Sequence, residues 1–293
     1  MIIKPRIRGF ICTTAHPAGL AASVNEQIEY VKSQPAVAGD LKNVLVIGAS
    51  GGYGLASRVT AAFGAGAATL GVSFEKPPTE KKTATQGWYA NVAFEEAAEQ
   101  AGLYAKTLDG DAFSDEMKDK VIQTIQADLG KIDLLVYSLA SPVRMHPKTG
   151  ELHRSVIKPL GDPVHIKSLN VDKGEVHEVD LEPATEEETA NTVAVMGGED
   201  WEFWISALSA AGVLAEGFRT VAFTYIGTEL TWPIYWEGTL GKAKEDLDRA
   251  AAGMRERLAV VSGDARVATL KAIVSQASSA IPVVPLYASL LFK

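Results

Sequence analysis

Residues 43–54 read Asn-Val-Leu-Val-Ile-Gly-Ala-Ser-Gly-Gly-Tyr-Gly, an apolar strand that passes straight into a glycine cluster ahead of a small-residue helix. Gly48, Gly51, Gly52 and Gly54 leave the backbone free to approach a ligand where a Cβ would collide with it. A helix that starts at the end of such a turn aims its unpaired N–H groups and the positive end of its dipole at bound phosphate. Glycine-rich turns can also serve only to pack a helix close to a strand, so the surrounding pattern has to decide.

That pattern alternates. Strands are predicted at 44–47, 69–74, 103–107 and 132–137, with helices at 55–63, 88–100 and 114–129 between and after them. Apolar strands separated by helices indicate an α/β fold, a Rossmann-like doubly wound parallel sheet. Residues 141–184 break the rhythm with Pro142, Pro147, Pro159, Pro163 and Pro183 and with β-prone pieces at 164–166 and 175–179, which reads as a β-rich insertion after the fourth strand. Helices at 185–189 onward and 199–214, a strand at 220–225, a long helix at 241–260, a strand at 267–274 and an apolar helical tail complete the prediction. Ahead of the glycine turn, residues 1–42 form an N-terminal extension with a β-prone start, a His16-Pro17 step and a helix around 24–33. Residues 43–293 are expected to be one catalytic domain.

Composition excludes several classes. A formal charge of −8 and a pI near 5.3 argue against a nucleic-acid partner, whose footprint would be basic. A single cysteine, Cys12, forbids an intrachain disulfide and suits a reducing compartment. The longest apolar run, 281–292, is too short for a membrane span and contains two prolines. With no signal-peptide pattern at the start, a cytoplasmic protein is expected. The five histidines, His16, His146, His153, His165 and His177, lack metal-ligand spacing, so no metal site is predicted.

The spacing Gly48-x-x-x-Gly52-x-Gly54 is similar to the short-chain dehydrogenase variant of the dinucleotide fingerprint, which implies a nicotinamide cofactor. Glu75 closes the second strand, where a carboxylate can accept from an adenosine ribose and would repel a 2′-phosphate, favouring NADH. Lys76, Lys81 and Lys82 nearby could instead reach a phosphate. By fold analogy Asp111 and Ala112 would border the adenine, and Ser138, Leu139 and Ala140 the nicotinamide ribose. Read alone, Asp111 is a candidate helix cap and Ser138 an ordinary strand-end residue.

Reduction chemistry on this scaffold needs a phenol and an ammonium. A tyrosine with a pKa of about 10 donates to a developing oxyanion, and a nearby ammonium stabilises its phenolate. The usual four-residue spacing is absent, since Tyr235 has Thr239 at that offset and Tyr225 has Glu229. Tyr235-x8-Lys244 keeps both groups across a longer gap.

In the order Gly48-Ala-Ser-Gly-Gly-Tyr-Gly, Phe74-Glu75-Lys76, Ser138-Leu-Ala-Ser-Pro142 and Tyr235-x8-Lys244, the chain resembles the FabV-type enoyl reductases, also called trans-2-enoyl-CoA reductases. The stretches Ile2-Ile3-Lys4-Pro5, Thr14-Ala-His-Pro17, Thr224-Tyr-Ile-Gly-Thr-Glu229 and Gln276-Ala277-Ser278 extend the likeness along the sequence. The resemblance implies NADH-dependent reduction of the 2,3-double bond of enoyl-ACP or enoyl-CoA, with Tyr235, Lys244 and Tyr225 at the reacting centre and Tyr225 beside the acyl chain. It implies cofactor contacts from Ser50, Tyr53, Phe74, Lys244, Val274 and Gln276 as well as the glycines, and a monomer or weak dimer. Trp232, Trp236 and Phe223 could wall an acyl pocket or be plain core. Family members continue past the point equivalent to Lys293, so this sequence reads as a truncated form. They often carry two consecutive lysines where this chain has Lys244-Glu245. A carbonyl or hydroxyacyl reductase on the same scaffold, or a cofactor-binding module without turnover, are the competing readings.

Overall fold

A computed structural model describes residues 3–8, 11–274, 278 and 281–292. A short pairing of β1 (Ile7–Arg8) with β2 (Ile11–Cys12) precedes helix α1 (Pro17–Ser33). The helix begins seven residues before its predicted start because His16 caps it, its Nδ1 accepting from the Gly19 N–H at 3.1 Å, with Pro17 in the first turn.

The alternating unit then follows as β3 (Asn43–Ile47), α2 (Gly52–Val59), β4 (Ala68–Ser73), α3 (Gln86–Gln100), β5 (Ala105–Asp109), α4 (Asp115–Thr124) and β6 (Ile132–Tyr137). Both α2 and α4 end in a π-helical turn, Thr60–Gly64 and Ile125–Leu129. The insertion forms two antiparallel hairpins, β7 (Val143–Met145) with β8 (Leu152–Arg154) and β9 (Val164–Asn170) with β10 (Glu175–Leu181). Helices α5 (Glu186–Met196) and α6 (Glu199–Ala210), strand β11 (Leu214–Thr224), helix α7 (Thr239–Leu258), strand β12 (Asp264–Thr269) and helix α8 (Val284–Leu291) complete the described chain. Thr185 and Glu188 close a reciprocal capping box at the start of α5.

Other boundaries also differ from the sequence prediction. The helix expected to reach residue 214 stops at Ala210, and Leu214 opens β11. The last strand lies at Asp264–Thr269 instead of 267–274, and β5 is shifted two residues toward the C-terminus.

Six strands form one parallel sheet in the order β12-β11-β6-β3-β4-β5. Chain order therefore reverses between β3 and β6, and the crevice at their carboxyl ends is where ligands bind in sheets of this kind. Val44 and Val46 face one side of β3, Leu45 and Ile47 the other, and all four are fully buried. On one face α1, α2 and α3 pack through Val24, Ile28, Leu55, Val59 and Phe94. On the other, α4, α6 and α7 pack through Val121, Trp201, Trp204 and Met254. Burying Phe94 and Phe218 completely contributes about 1.5–3 kcal/mol each.

Candidate active site

The carboxyl ends of β3, β4, β5 and β6 open on a cleft of about 810 Å³, within the size range of cofactor sites. The turn after β3 supplies Gly48, Ser50, Gly51, Gly52 and Tyr53 to its wall, and the end of β4 supplies Phe74 and Glu75. The loop after β5 adds Asp111 and Ala112, and the loop after β6 adds Ser138, Leu139 and Ala140. The sheet thus brings four predicted segments to one surface. Gln86, Phe113, Met145 and Leu152 complete much of the wall and were not predicted as site residues, and Ser141 of the Ser138–Pro142 motif joins them.

Backbone packing explains the glycines. Gly48 has φ +82°, and a Cβ there would run into the Ser138 carbonyl oxygen. A Cβ on Gly54 would strike the Gly48 carbonyl, so Gly54 lets α2 seat against the turn and does not line the cleft. Gly51 and Gly52 face open space. No side chain caps α2, so the N–H groups of its first turn are free to meet an anion. A glycine wall, an uncapped helix start and a carboxylate on the next strand fit a dinucleotide with its ribose toward Glu75.

Glu75 is held in place. Ser50 Oγ donates to its Oε1 at 2.6 Å, and the carboxylate lies against Gly87 in the first turn of α3, where the helix dipole favours it. Lys76, Lys81 and Lys82 are exposed, and the bridge between Thr79 and Lys82 closes a separate turn. Beneath this corner Ser73 Oγ bonds Asp109 and accepts from Asn91 Nδ2 at 3.0 Å, a polar support the sequence did not disclose. The carboxylate of Asp111 accepts from the Phe113 N–H at 2.9 Å, and the cap of α4 is Ser114, which accepts from the Met117 N–H.

The phenol and the ammonium meet at the neighbouring strand end. Ala222 is in register with Tyr137, so Phe223 and Thr224 continue beside Ser138 and Leu139. Tyr53 of the glycine turn packs edge-on against Phe223 at 6.0 Å and donates to the Lys271 carbonyl at 2.6 Å. After β11 the chain makes a tight turn in which the Tyr235 N–H donates to Thr231 O and Trp232 O. Gly241 has no Cβ to strike the Trp236 carbonyl, so this turn closes directly onto the start of α7. The eight-residue spacer is therefore a turn plus the first residues of a helix, and it delivers Lys244 back over Tyr235.

The Lys244 Nζ lies 5.1 Å from the Tyr235 ring centroid and donates to Thr224 Oγ1 at 2.8 Å. Tyr225 stands edge-on to Tyr235 with centroids 5.2 Å apart, and its hydroxyl has no hydrogen-bond partner among the described residues. Burial, with Tyr225 alongside, pushes the Tyr235 phenol up to about 12. Burial also pulls the Lys244 ammonium down to about 8 and raises Tyr225. The sequence led to the expectation of an ammonium polarising the hydroxyl. Here the cation addresses the ring face, and desolvation sets the phenol's acidity. The phenol is a firmly protonated donor next to a cation that its own ring attracts.

Other predicted residues lie elsewhere. Val274 is 66% exposed and outside the cleft wall, where Ile273 takes part. Gln276 lies outside the described residues. The aromatic trio is dispersed: Phe223 packs on Tyr53, Trp232 Nε1 donates to Gly227 O at 3.4 Å, and Trp236 is exposed.

Comparison with known proteins gives a consistent result. Residues 82–293 match the family model of the trans-2-enoyl-CoA reductase catalytic region, and residues 2–80 match that of the NAD(P)H binding domain of trans-2-enoyl-CoA reductase. The chain is 63% identical over all 293 residues to an enoyl-acyl-carrier-protein reductase (NADH) of Saccharophagus degradans, covering 74% of that protein. Among solved structures, the Treponema denticola trans-2-enoyl-CoA reductase in complex with NAD superposes with a TM-score of 0.93 at 52% identity. The Clostridium acetobutulicum trans-2-enoyl-CoA reductase in complex with NADH does so at 0.95 and 42%. Each match covers all of this chain and 74% of the other.

Proposed function

The chain belongs to the trans-2-enoyl-CoA reductase family, and from that premise we propose that it uses NADH to reduce the 2,3-double bond of trans-2-enoyl thioesters carried on acyl carrier protein or coenzyme A. The observation that carries this reading is the convergence of Tyr235, Lys244 and Tyr225 at the end of β11, next to the dinucleotide cleft.

NADH, when bound, supplies the hydride that adds to the β-carbon. The protein's part is to receive the charge this drives onto the thioester oxygen. Tyr235, protonated across the neutral range, donates to that oxygen as the enolate develops, a contact worth most in the transition state. Lys244 is charged at neutral pH and lies against the ring, so it offsets the electron density the phenol takes on as its proton is drawn away. With Thr224, to which it is bonded, it would hold the nicotinamide ribose. Tyr225 offers a second phenol on the same side, beside the acyl chain, its hydroxyl without a partner among the described residues. Glu75 accepts from the adenosine ribose and opposes a 2′-phosphate, which selects NADH over NADPH.

In this reading residues 43–293 are the catalytic domain, 1–42 an extension whose helix α1 packs against α3, and 141–184 an insertion. The enzyme works in the cytoplasm as a monomer or weak dimer, and no described helix is long and apolar enough to cross a membrane. The direct test is NADH oxidation with crotonyl-CoA against acetoacetyl-CoA. Turnover with the enoyl thioester is expected, and oxidation with the ketone alone would overturn the assignment in favour of a carbonyl reductase.

A further inference from the structure

Lys118 lies beneath the cleft with only 3% of its side chain exposed, and the chemistry described above makes no use of it. Its three donors are all engaged. They reach Ala112 O at 3.2 Å, Phe113 O at 2.9 Å and Asp200 Oδ1 at 2.8 Å. The first two are backbone carbonyls of the loop after β5, whose residues Asp111, Ala112 and Phe113 line the cleft. The other carboxylate oxygen of Asp200 accepts from the Tyr137 hydroxyl at 2.9 Å, and Tyr137 immediately precedes Ser138 on the opposite wall. Trp201 stacks on Tyr137 and Trp204 lies under the Lys118 ammonium, so the connection is packed as well as bonded.

The sheet order gives this bridge its meaning. β5 and β6 are separated by β4 and β3, so no ladder of backbone hydrogen bonds joins the two loops that follow them. One carboxylate from α6 spans that gap. A buried ion pair is rarely worth more in stability than apolar packing of the same volume, so stability alone does not account for one placed here.

We propose that Lys118, through Asp200 and Tyr137, is a positioning residue for the dinucleotide cleft, fixing the 111–113 wall relative to the 138–140 wall and so setting the affinity for NADH. This rests on the cofactor reading given under the proposed function.

The test is NADH titration of the purified full chain by fluorescence, with steady-state rates on crotonyl-CoA. Two variants are compared, Tyr137→Phe and the triple variant Lys118→Met/Tyr137→Phe/Asp200→Leu, in which apolar groups replace the whole network. The Kd for NADH is expected to rise about threefold in the first and about tenfold or more in the second, with kcat at saturating NADH within about twofold, because the network touches no reacting atom. A purely structural network predicts instead that affinity returns together with thermal stability in the triple variant, and that result would overturn the proposal. Should the triple variant not fold, Tyr137→Phe decides alone, and an unchanged Kd there sinks the proposal. Wild-type protein that fails to bind NADH removes the cofactor reading itself, whereas wild-type binding with unaffected variants removes only the positioning role.

Discussion

The Lys244 ammonium rests 5.1 Å from the centroid of the Tyr235 ring while its hydrogen bond goes to Thr224 Oγ1, so cation and phenol meet face-on where β11 ends. Burial moves the two groups toward their neutral forms from opposite directions, Lys244 down to about 8 and Tyr235 up to about 12. At neutral pH the ammonium is charged and the phenol protonated, and only the lysine is near the limit.

That asymmetry sets the pH dependence. As pH rises, Lys244 loses its charge first and Tyr235 keeps its proton. The profile of kcat/KM is expected to be flat below about pH 7 and to fall through about pH 8 toward a tenfold loss per unit. Replacing Lys244 with arginine should move the falling limb to higher pH, since a guanidinium stays charged. A wild-type profile that holds level to about pH 10 would exclude the ammonium as the working form.

Tyr235→Phe removes the one oxygen proposed to act on the enolate and leaves the cleft wall intact. Turnover should drop by about a hundredfold or more, the usual cost of losing an oxyanion donor, while NADH affinity stays within about twofold. Stopped-flow turnover and NADH fluorescence titration on the same preparation separate the two. Near-normal rates in this variant would shift the donor role to Tyr225, whose hydroxyl has no partner among the described residues.

What the sequence reveals and what it hides follow from the range of the interactions. The strands at 43–47 and 132–137 were legible because burial on both faces leaves an apolar run, and the glycine turn because backbone approach admits no side chain. β12 was read three residues late since it is the edge strand of the sheet and begins with the polar residues Asp264 and Arg266, which pair with each other. The Tyr235–Lys244 pair was identified through spacing and resemblance, but its face-on geometry was not, because desolvation depends on what closes over the pair. Lys118 is the clearest omission. On an amphipathic helix it reads as a solvated charge, and its partner lies 82 residues away. Nothing local distinguishes a buried lysine from an exposed one.

The N-terminal extension should prove integral to the domain. Ile28 and Val24 of α1 are almost fully buried against Leu55, Val59 and Phe94. Ile28→Ala is expected to cost about 2–4 kcal/mol, whereas Tyr30→Ala, at a 67% exposed position of the same helix, should stay within about 0.5 kcal/mol. Urea denaturation would show a single transition for both variants. Separate melting of the extension, with the rest of the chain unmoved, would mean that α1 is an appendage.

Cofactor choice should depend on a residue outside the cleft wall. Gly87 sits in the first turn of α3, where alanine is the better helix former by about 1 kcal/mol, so Gly87→Ala carries no backbone penalty. Its Cβ would nevertheless run into Glu75 Oε1 and come within 2.6 Å of Ser50 Cβ. The flexible glutamate must swing away, breaking its bond to Ser50 and leaving the place proposed for the ribose, and the turn at Ser50 must give way as well. Gly87→Ala is therefore expected to raise the KM for NADH about five- to tenfold and to narrow the preference over NADPH, as Glu75→Ala should, with kcat little changed. Because both changes act through one carboxylate, their effects should not add: in a Glu75→Ala background the glycine substitution should cost much less than it does alone. Fully additive losses would show that Gly87 acts through the turn at Ser50, and an unaltered NADH to NADPH ratio in both variants would assign selectivity to Lys76, Lys81 and Lys82.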